Sequence, residues 1–326
     1  MKPFTLENPA TAVKAVEQFQ AARGTVAYKA GGTDLLDAMK HRILSPDSLI
    51  NLLKVEGLDR LEPEADGGLR IGASVTLARL ADHPLVRERF QAVAAAAGEV
   101  ATPQIRNVAT LGGNLCQSPR CWYYRQWALS CYRRGGRQCE AVKGEHRFHA
   151  VFGEGVCHMA HPSTVAPALI AIEASVNIRG KNGVRKEPME SFYRTPKLAG
   201  EGEWVLGEGE LVESVVIPNR GWRSAFYAIR ERQGPDWPLA MAAVALKLEK
   251  KVVADCRIVL GAVAPIPWRV KTAERALVGH PLAPESFIPV AQALDQEARP
   301  LAGNQYKVRL AQVALKRAVM GAVAGE

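Results

Sequence analysis

Apolar residues recur at helical spacing near the start of the chain and then give way to short apolar runs. The segment ATAVKAVEQFQAARG after Asn8-Pro9 predicts a capped amphipathic helix that stops at Gly24. The next apolar run, Thr25 to Tyr28, predicts a strand, and it leads directly into KAGGTDLLDAMKHR. A strand, a glycine turn and a helix start in this order are typical of sites that bind phosphate through backbone N–H groups.

The same patterns predict both kinds of element further along the chain. Strands are predicted at Ser48–Leu53, Leu69–Ala73 and Ser175–Arg179, and helices at Pro84–Ala97 and Pro162–Glu173. The region from Gly180 to Pro218 is rich in loops, with strand pieces such as GELVESVVIP.

The order of elements changes after Asn219. Three segments there predict strands, at Ser224–Arg230, Ala240–Leu248 and Cys256–Val263. Three segments after them predict helices, at Val270–Val278, Phe287–Glu297 and Gln305–Val323. Because strands followed by helices are typical of a sheet backed by helices, we expect an α+β domain at 219–326 behind a first domain at 1–218.

A second glycine turn follows the first by about eighty residues. The sequence ATPQIRNVATLGGN brings Gly112, Gly113 and Asn114 to the end of an apolar segment. Two such turns suit a dinucleotide with two phosphates better than they suit a single phosphate. Two independent structural turns remain the alternative, and neither is a P-loop because no GK[ST] follows.

Cysteine content and charge single out one segment of the chain. Four of the six cysteines lie close together with nine, seven and seventeen residues between them, at Cys121, Cys131, Cys139 and Cys157. Residues 101–150 carry eight Lys and Arg against two Asp and Glu, which supplies six of the net charge of +9. Nearby arginines and backbone N–H groups are therefore expected to stabilise ionised thiolates.

Three explanations of the four cysteines are open to different degrees. An iron–sulfur cluster takes four thiolates and accepts irregular spacing, because it is larger than a single ion. A structural zinc ion is the alternative, although none of the gaps is as short as the one in CxxC. Disulfides are disfavoured in a chain of 326 residues without a secretory leader.

Composition disfavours several classes of function. No apolar run approaches twenty residues, so no membrane span is expected. The pI near 9.3 invites a nucleic-acid interpretation, but no helix-turn-helix, zinc-finger or stacked-aromatic pattern accompanies it. A basic, non-enzymatic binding module would explain only the charge. The N-terminus MKPFTLENPATAV predicts a cytoplasmic location, with the periplasm open to a subunit exported with a signal-bearing partner.

The motifs AGGTDLL, RIGA, QIRNVATLGGN, FYAIRERQ, WPLAMAAVAL and LGAVAPIPWR occur in one order along the chain. Together they resemble the FAD-binding medium subunit of the xanthine dehydrogenase family of molybdenum hydroxylases. The cysteine-rich insertion, at about residues 116–161, is similar to the one in periplasmic aldehyde oxidoreductases and 4-hydroxybenzoyl-CoA reductase, which carry an extra [4Fe-4S] cluster. The resemblance implies an α+β fold: a two-part FAD-binding domain of the vanillyl-alcohol-oxidase or PCMH type, then a C-terminal α+β domain.

Carried over residue by residue, the resemblance implies two sets of ligands and no catalytic residue. The expected FAD contacts are Tyr28, Lys29, Ala30, Gly31, Gly32, Thr33, Asp34, Leu35, Leu36, Ile105, Thr110, Gly113, Asn114, Thr164 and Trp237. The expected ligands of the [4Fe-4S] cluster are Cys121, Cys131, Cys139 and Cys157. Thr164 stands where the family usually has Asp, so its contact with the flavin is expected to be uncharged. Trp237 is expected to face the flavin, with an ordinary surface or core position as the alternative.

The insertion also contains four histidines, at positions 146, 149, 158 and 161. With four cysteines already available, these side chains are expected to lie at the surface or beside the cysteines rather than to bind iron.

The function that the resemblance implies is electron transfer rather than substrate chemistry. A flavin can exchange two electrons or one, whereas a [4Fe-4S] cluster moves one at a time, so the pair suits a relay to an external electron acceptor. A large partner with the molybdenum cofactor and a small partner with [2Fe-2S] clusters are implied, in a heterotrimer or a dimer of heterotrimers. A stand-alone FAD oxidoreductase with a zinc-stabilised loop is the alternative.

Overall fold

The computed structural model describes residues 1–232 and 234–324. Its strands are β1 Thr5–Glu7, β2 Val26–Lys29, β3 Ser48–Asn51, β4 Leu61–Pro63, β5 Leu69–Gly72, β6 Ser175–Gly180, β7 Gly183–Pro188, β8 Leu211–Ile217, β9 Arg223–Ile229, β10 Ala240–Glu249, β11 Val252–Gly261 and β12 Trp268–Arg269. Its α-helices are α1 Ala12–Ala21, α2 Leu35–Lys40, α3 Leu77–Asp82, α4 Pro84–Arg89, α5 Gln91–Gly98, α6 Pro103–Arg106, α7 Leu111–Leu115, α8 Trp122–Arg125, α9 Val165–Ala171, α10 Met189–Phe192, α11 Lys271–Leu277, α12 Phe287–Glu297 and α13 Tyr306–Val323.

The strands form three sheets. The first is parallel, in the order β1-β3-β2, and it ends in the first glycine turn. The second is antiparallel, in the order β4-β5-β8-β6-β7, and the third is antiparallel, in the order β12-β11-β10-β9. The predicted mixture of strands and helices is confirmed, including the sheet backed by helices after residue 219.

Strand β10 is buried on both of its faces, which joins the two halves of the molecule. Because successive side chains of a strand point to opposite sides, Ala242 and Val244 pack with α11, α12 and α13. Ala243 and Ala245 point the other way and pack into the core that contains α5 and α9. The third sheet therefore closes over the first part of the chain and shares its core.

Two sequence predictions about helices need correction. The alanine-rich segment Pro84–Ala97 forms two helices, because Phe90 leaves the helical conformation at φ −127° and ψ 52° while its ring is buried in the core. The first helix begins after Thr11, whose hydroxyl accepts a hydrogen bond from the backbone N–H of Lys14, so Pro9 lies outside it.

The cysteine-rich insertion has little regular structure. It contains the single turn of α8 and two short 3₁₀ segments, Tyr132–Arg134 and Glu140–Val142. Side-chain contacts and individual backbone hydrogen bonds, such as those from Val151 N and Phe152 N to Val263 O, therefore hold this segment in position. Among the described residues, the helices are all too short or too polar to cross a lipid bilayer.

Candidate functional site

The first glycine turn packs directly against the segment that leads to the second. A Cβ atom on Gly31 would lie 2.0 Å from the backbone oxygen of Val108, so only glycine fits there. Gly32 has φ +77°, a left-handed conformation that glycine adopts at low cost. The structure thus brings together two turns that are about eighty residues apart in the sequence, as a shared dinucleotide site requires.

The second turn is the start of the short helix α7. The Thr110 hydroxyl caps it by accepting a hydrogen bond from Gly113 N at 3.2 Å, so these two expected FAD contacts bond to each other. The Asn114 side chain is buried and its Oδ1 accepts a hydrogen bond from the Ser163 hydroxyl at 2.7 Å. Thr164 follows, with its buried Oγ1 lacking a hydrogen-bond partner in the described part of the chain.

The other expected FAD contacts differ in exposure. The Tyr28 hydroxyl donates to the carbonyl oxygen of Gly209 at 2.7 Å, and burial raises its pKa well above 10. Ile105 and Trp237 are 38% and 50% exposed. Around the first turn, Lys29, Ala30, Leu35 and Leu36 are half-buried, whereas Thr33 is exposed.

The four cysteines of the insertion come together around one small cavity. It is lined by all four thiols with three tyrosines and Met159, among others. All four are free thiols, so the disulfide explanation does not apply. Across residues 1–232 and 234–324, no three His, Cys, Asp or Glu side chains converge as the ligands of a single metal ion.

The thiols of this cavity do not ionise alike. Burial raises the pKa of the Cys121 thiol to about 12. The Cys157 thiol donates a hydrogen bond to Cys139, which lowers the pKa of Cys139 and raises that of Cys157. A shared proton between two cysteines indicates that at least one of them favours the thiolate, the form that binds metals.

The arginines of the insertion are committed to other groups. Asp34, an expected FAD contact, accepts hydrogen bonds from Arg125 at 2.6 Å and from the backbone N–H of Ser118 at 2.8 Å, and it forms an ion pair with Arg120 at 2.9 Å. Arg133 donates two hydrogen bonds, from Nε and Nη2, to the single oxygen Oε2 of Glu203, which is completely buried. Carboxylates pair with these three arginines, and the expectation that the basic residues of this segment stabilise thiolates stays a prediction. The Asp34 carboxylate binds the insertion. A contact between Asp34 and FAD stays a prediction, and the Asp34 backbone would make it.

A second, larger cavity of about 400 Å³ lies beside the cysteine cavity. Cys121 lines both cavities, so its side chain forms part of the wall between them. On the far side Trp237 lines the larger cavity, and the Arg120 guanidinium lies 5.0 Å from the centre of its ring. His161 also lines it, with burial lowering the pKa of its ring to about 3.

Sequence reasoning missed the residues that fix the insertion to the C-terminal part of the chain. Lys307 is buried and its ammonium group donates to the carbonyl oxygens of Phe148, His149 and Ala262 at 2.8 to 3.1 Å. Asn304, completely buried, donates to the carbonyls of His149 and its neighbours. A Lys inside the apolar pattern of α13 was the available signal, because lysine is almost never buried without acceptors.

Comparisons with known proteins agree with this geometry. The family described as the FAD binding domain in molybdopterin dehydrogenase matches residues 2–220, and the CO dehydrogenase flavoprotein C-terminal domain matches residues 225–322. The chain is 35% identical over 315 residues to the aldehyde oxidoreductase FAD-binding subunit PaoB of Escherichia coli, covering 95% of each chain. It is 28% identical to the carbon monoxide dehydrogenase medium chain of Hydrogenophaga pseudoflava, covering 90% of this chain and 88% of the relative.

Solved structures give the same answer. The carbon monoxide dehydrogenase of Hydrogenophaga pseudoflava matches with a TM-score of 0.77 and 26% identity, over 99% of each chain. The chain therefore belongs to the family of FAD-binding subunits of molybdopterin dehydrogenases. It is an electron-transfer flavoprotein subunit of an oxidoreductase, as the sequence predicted, and not a stand-alone flavoenzyme.

Proposed function

We propose that this chain relays electrons between FAD and a [4Fe-4S] cluster bound by Cys121, Cys131, Cys139 and Cys157. The observation that carries the proposal is the arrangement of the thiols: all four line one cavity, and Cys121 also lines the larger cavity beside Trp237. The four thiolates would hold the cluster, and the larger cavity would hold part of the flavin.

The number of thiols and their spacing along the chain suit a cluster. All four cysteines line one cavity, and nine, seven and seventeen residues separate them in the sequence. A [4Fe-4S] cluster takes four thiolates and accepts irregular spacing because each thiolate binds a different iron. One zinc ion is the alternative that the metal analysis below tests.

Unsatisfied polar atoms support a ligand between the glycine turns and the C-terminal sheet. Thr164 Oγ1 and His161 Nε2 are buried without a hydrogen-bond partner among the described residues. Buried polar groups are almost always satisfied, so such atoms are expected where a bound ligand supplies the partner. We assign the FAD phosphates to the turns around Gly31 and Gly113 and the flavin ring to the cavity beside Trp237.

In this arrangement the protein's part is to hold, separate and tune the two cofactors. When bound, FAD exchanges two electrons or one and the cluster exchanges one, which lets the subunit join one-electron and two-electron partners. Asp34 fixes the distance between the two sites because it joins the first turn to Arg120 and Arg125. The tyrosines and Met159 around the cysteines keep water away from them.

We infer further that the chain works as the medium subunit of a larger complex. Its domains are assigned to 1–218 and 219–326, with a large partner holding the molybdenum cofactor and a small one holding [2Fe-2S] clusters, in a heterotrimer or a dimer of heterotrimers. The similarity to an aldehyde oxidoreductase subunit supports aldehydes as the substrate class of the complex.

Metal analysis of the intact complex tests the cluster. Iron, acid-labile sulfide, zinc and FAD are measured for the wild type, for Cys157→Ala and for the matched control Cys256→Ala, whose cysteine is buried in the third sheet. We expect Cys157→Ala to lose about four iron and four sulfide per chain and the control to lose none. Unchanged iron in Cys157→Ala, or one zinc without the extra sulfide in the wild type, would refute the cluster.

A further inference from the structure

One histidine of the insertion contacts a cysteine directly. The Nε2 atom of His149 lies 3.2 Å from the Sγ atom of Cys121, within hydrogen-bond distance for sulfur. The ring is 3% exposed. Because Cys121 is the cysteine that lines both cavities, this contact is made at the wall between the cluster and the flavin.

The surroundings of His149 fix the ring in this position. Its backbone carbonyl accepts hydrogen bonds from Lys307 at 3.1 Å and Asn304 at 3.3 Å. The ring makes an edge-type contact with Trp122 and a tilted contact with Tyr123, whose ring centroids lie 5.4 and 5.9 Å away. A side chain held from both ends loses little conformational entropy when it makes one further hydrogen bond.

The chemistry of the pair fixes which atom donates. A cysteine bound to iron is a thiolate, which has no proton to give and can only accept. The proton must therefore lie on Nε2 of the imidazole, which leaves Nδ1 as an acceptor. Nδ1 is buried without a partner in the described part of the chain, so no second hydrogen bond pulls the ring away from the sulfur.

We propose that His149 donates a hydrogen bond to the sulfur of Cys121 and thereby raises the reduction potential of the cluster at the ligand that faces the flavin. This inference rests on the cluster proposed above. Uptake of one electron places more negative charge on the ligand sulfurs, which strengthens an N–H···S hydrogen bond and favours the reduced cluster. His149 is thus a positioning residue that acts on the potential of the cluster through Cys121.

The test compares His149→Phe, which keeps a flat ring but has no donor, with His149→Gln, whose amide N–H can take the place of Nε2–H. The midpoint potential of the cluster is measured in the purified complex by a redox titration followed by electron paramagnetic resonance. We expect His149→Phe to disfavour the reduced cluster by about tenfold, which for one electron is a shift of about 59 mV to lower potential. We expect His149→Gln to stay close to the wild type.

Each outcome decides the inference. Equal potentials in the wild type and His149→Phe would overturn it. If His149→Phe assembles no cluster, His149→Leu takes its place as the variant without a donor: a potential lowered by about 59 mV while His149→Gln stays close to the wild type supports the hydrogen bond, and equal potentials in all three proteins overturn it. A wild-type complex without the extra iron and sulfide would refute the cluster itself, whereas a cluster indifferent to position 149 would refute only this role.

Discussion

Asp34→Asn is expected to loosen the flavin site, because Asp34 joins the first glycine turn to the cysteine insertion. Its carboxylate pairs with Arg125 and Arg120 at 2.6 and 2.9 Å, and the three side chains are 17%, 11% and 26% exposed. An asparagine keeps the shape and one acceptor oxygen but removes the charge. Two poorly solvated guanidinium groups then retain only Asp37 as a charged partner.

The cost lies between two known limits. Exposed ion pairs contribute at most about 1 kcal/mol, whereas breaking a fully buried pair costs about 3–5 kcal/mol. For two pairs at this intermediate exposure we expect a loss of about 2–3 kcal/mol. For a cooperative unit of 326 residues, with an unfolding entropy of about 0.7 kcal/mol/K, that lowers the melting temperature by about 3–4 °C.

The assay is a thermal ramp of the purified complex, followed by the fluorescence that appears when FAD is released. Asp37→Asn is the matched control, because Asp37 pairs with the same two arginines but is 39% exposed, at 3.0 and 3.7 Å. We expect the control to cost less than about 1 kcal/mol. Equal melting temperatures for Asp34→Asn and Asp37→Asn would show that the link to the first turn does not stabilise the flavin site.

Three other substitutions test different parts of the structure. Gly31→Ala should abolish FAD binding, since its Cβ would lie 2.0 Å from Val108 O; normal flavin absorbance per chain would contradict this. Burial lowers the pKa of His161 to about 3, below about 6.5 in the unfolded chain, so wild-type stability should fall by about 2 kcal/mol between pH 7 and pH 5 from this group alone. In urea titrations His161→Phe should show a correspondingly smaller fall; equal falls would refute the assignment. Arg133→Met should cost about 3–5 kcal/mol by stranding the buried Glu203 carboxylate, and adding Glu203→Leu should restore most of it. A double variant no more stable than the single one would contradict the pair.

Much of the fold follows from local patterns in the sequence. Helix α12 begins and ends where its periodicity predicted, at Phe287 and Glu297, because its apolar stripe, with Val290 and Leu294, faces the core. Strand β10 was equally predictable from the sequence, because it is an apolar run between polar ends. The break at Phe90 was not, since the alanine-rich pattern continues through it and only tertiary burial of the ring ends the helix.

The candidate site was predictable in its parts but not in its connections. The glycine turns and the four cysteines could be named from the sequence, because glycine and cysteine carry position-specific chemistry. The carboxylate that pairs with Arg120 and Arg125 could not be predicted from the sequence, since Asp34 lies more than eighty residues away and many carboxylates were available. Nor did the sequence distinguish His149 from the other three histidines, because only the folded insertion brings its ring to Cys121.

The hydrogen bonds from Asn304 and Lys307 to the insertion affect how the sequences of such subunits can diverge. The Lys307 ammonium group and the Asn304 side-chain NH₂ donate to main-chain oxygens of residues 146–150 and 262. Every amino acid has a main-chain carbonyl oxygen, so substitutions in that stretch can change its side chains without breaking these hydrogen bonds. Evolution can therefore replace the residue that contacts Cys121, and so change the reduction potential of the proposed cluster, while this segment keeps its position.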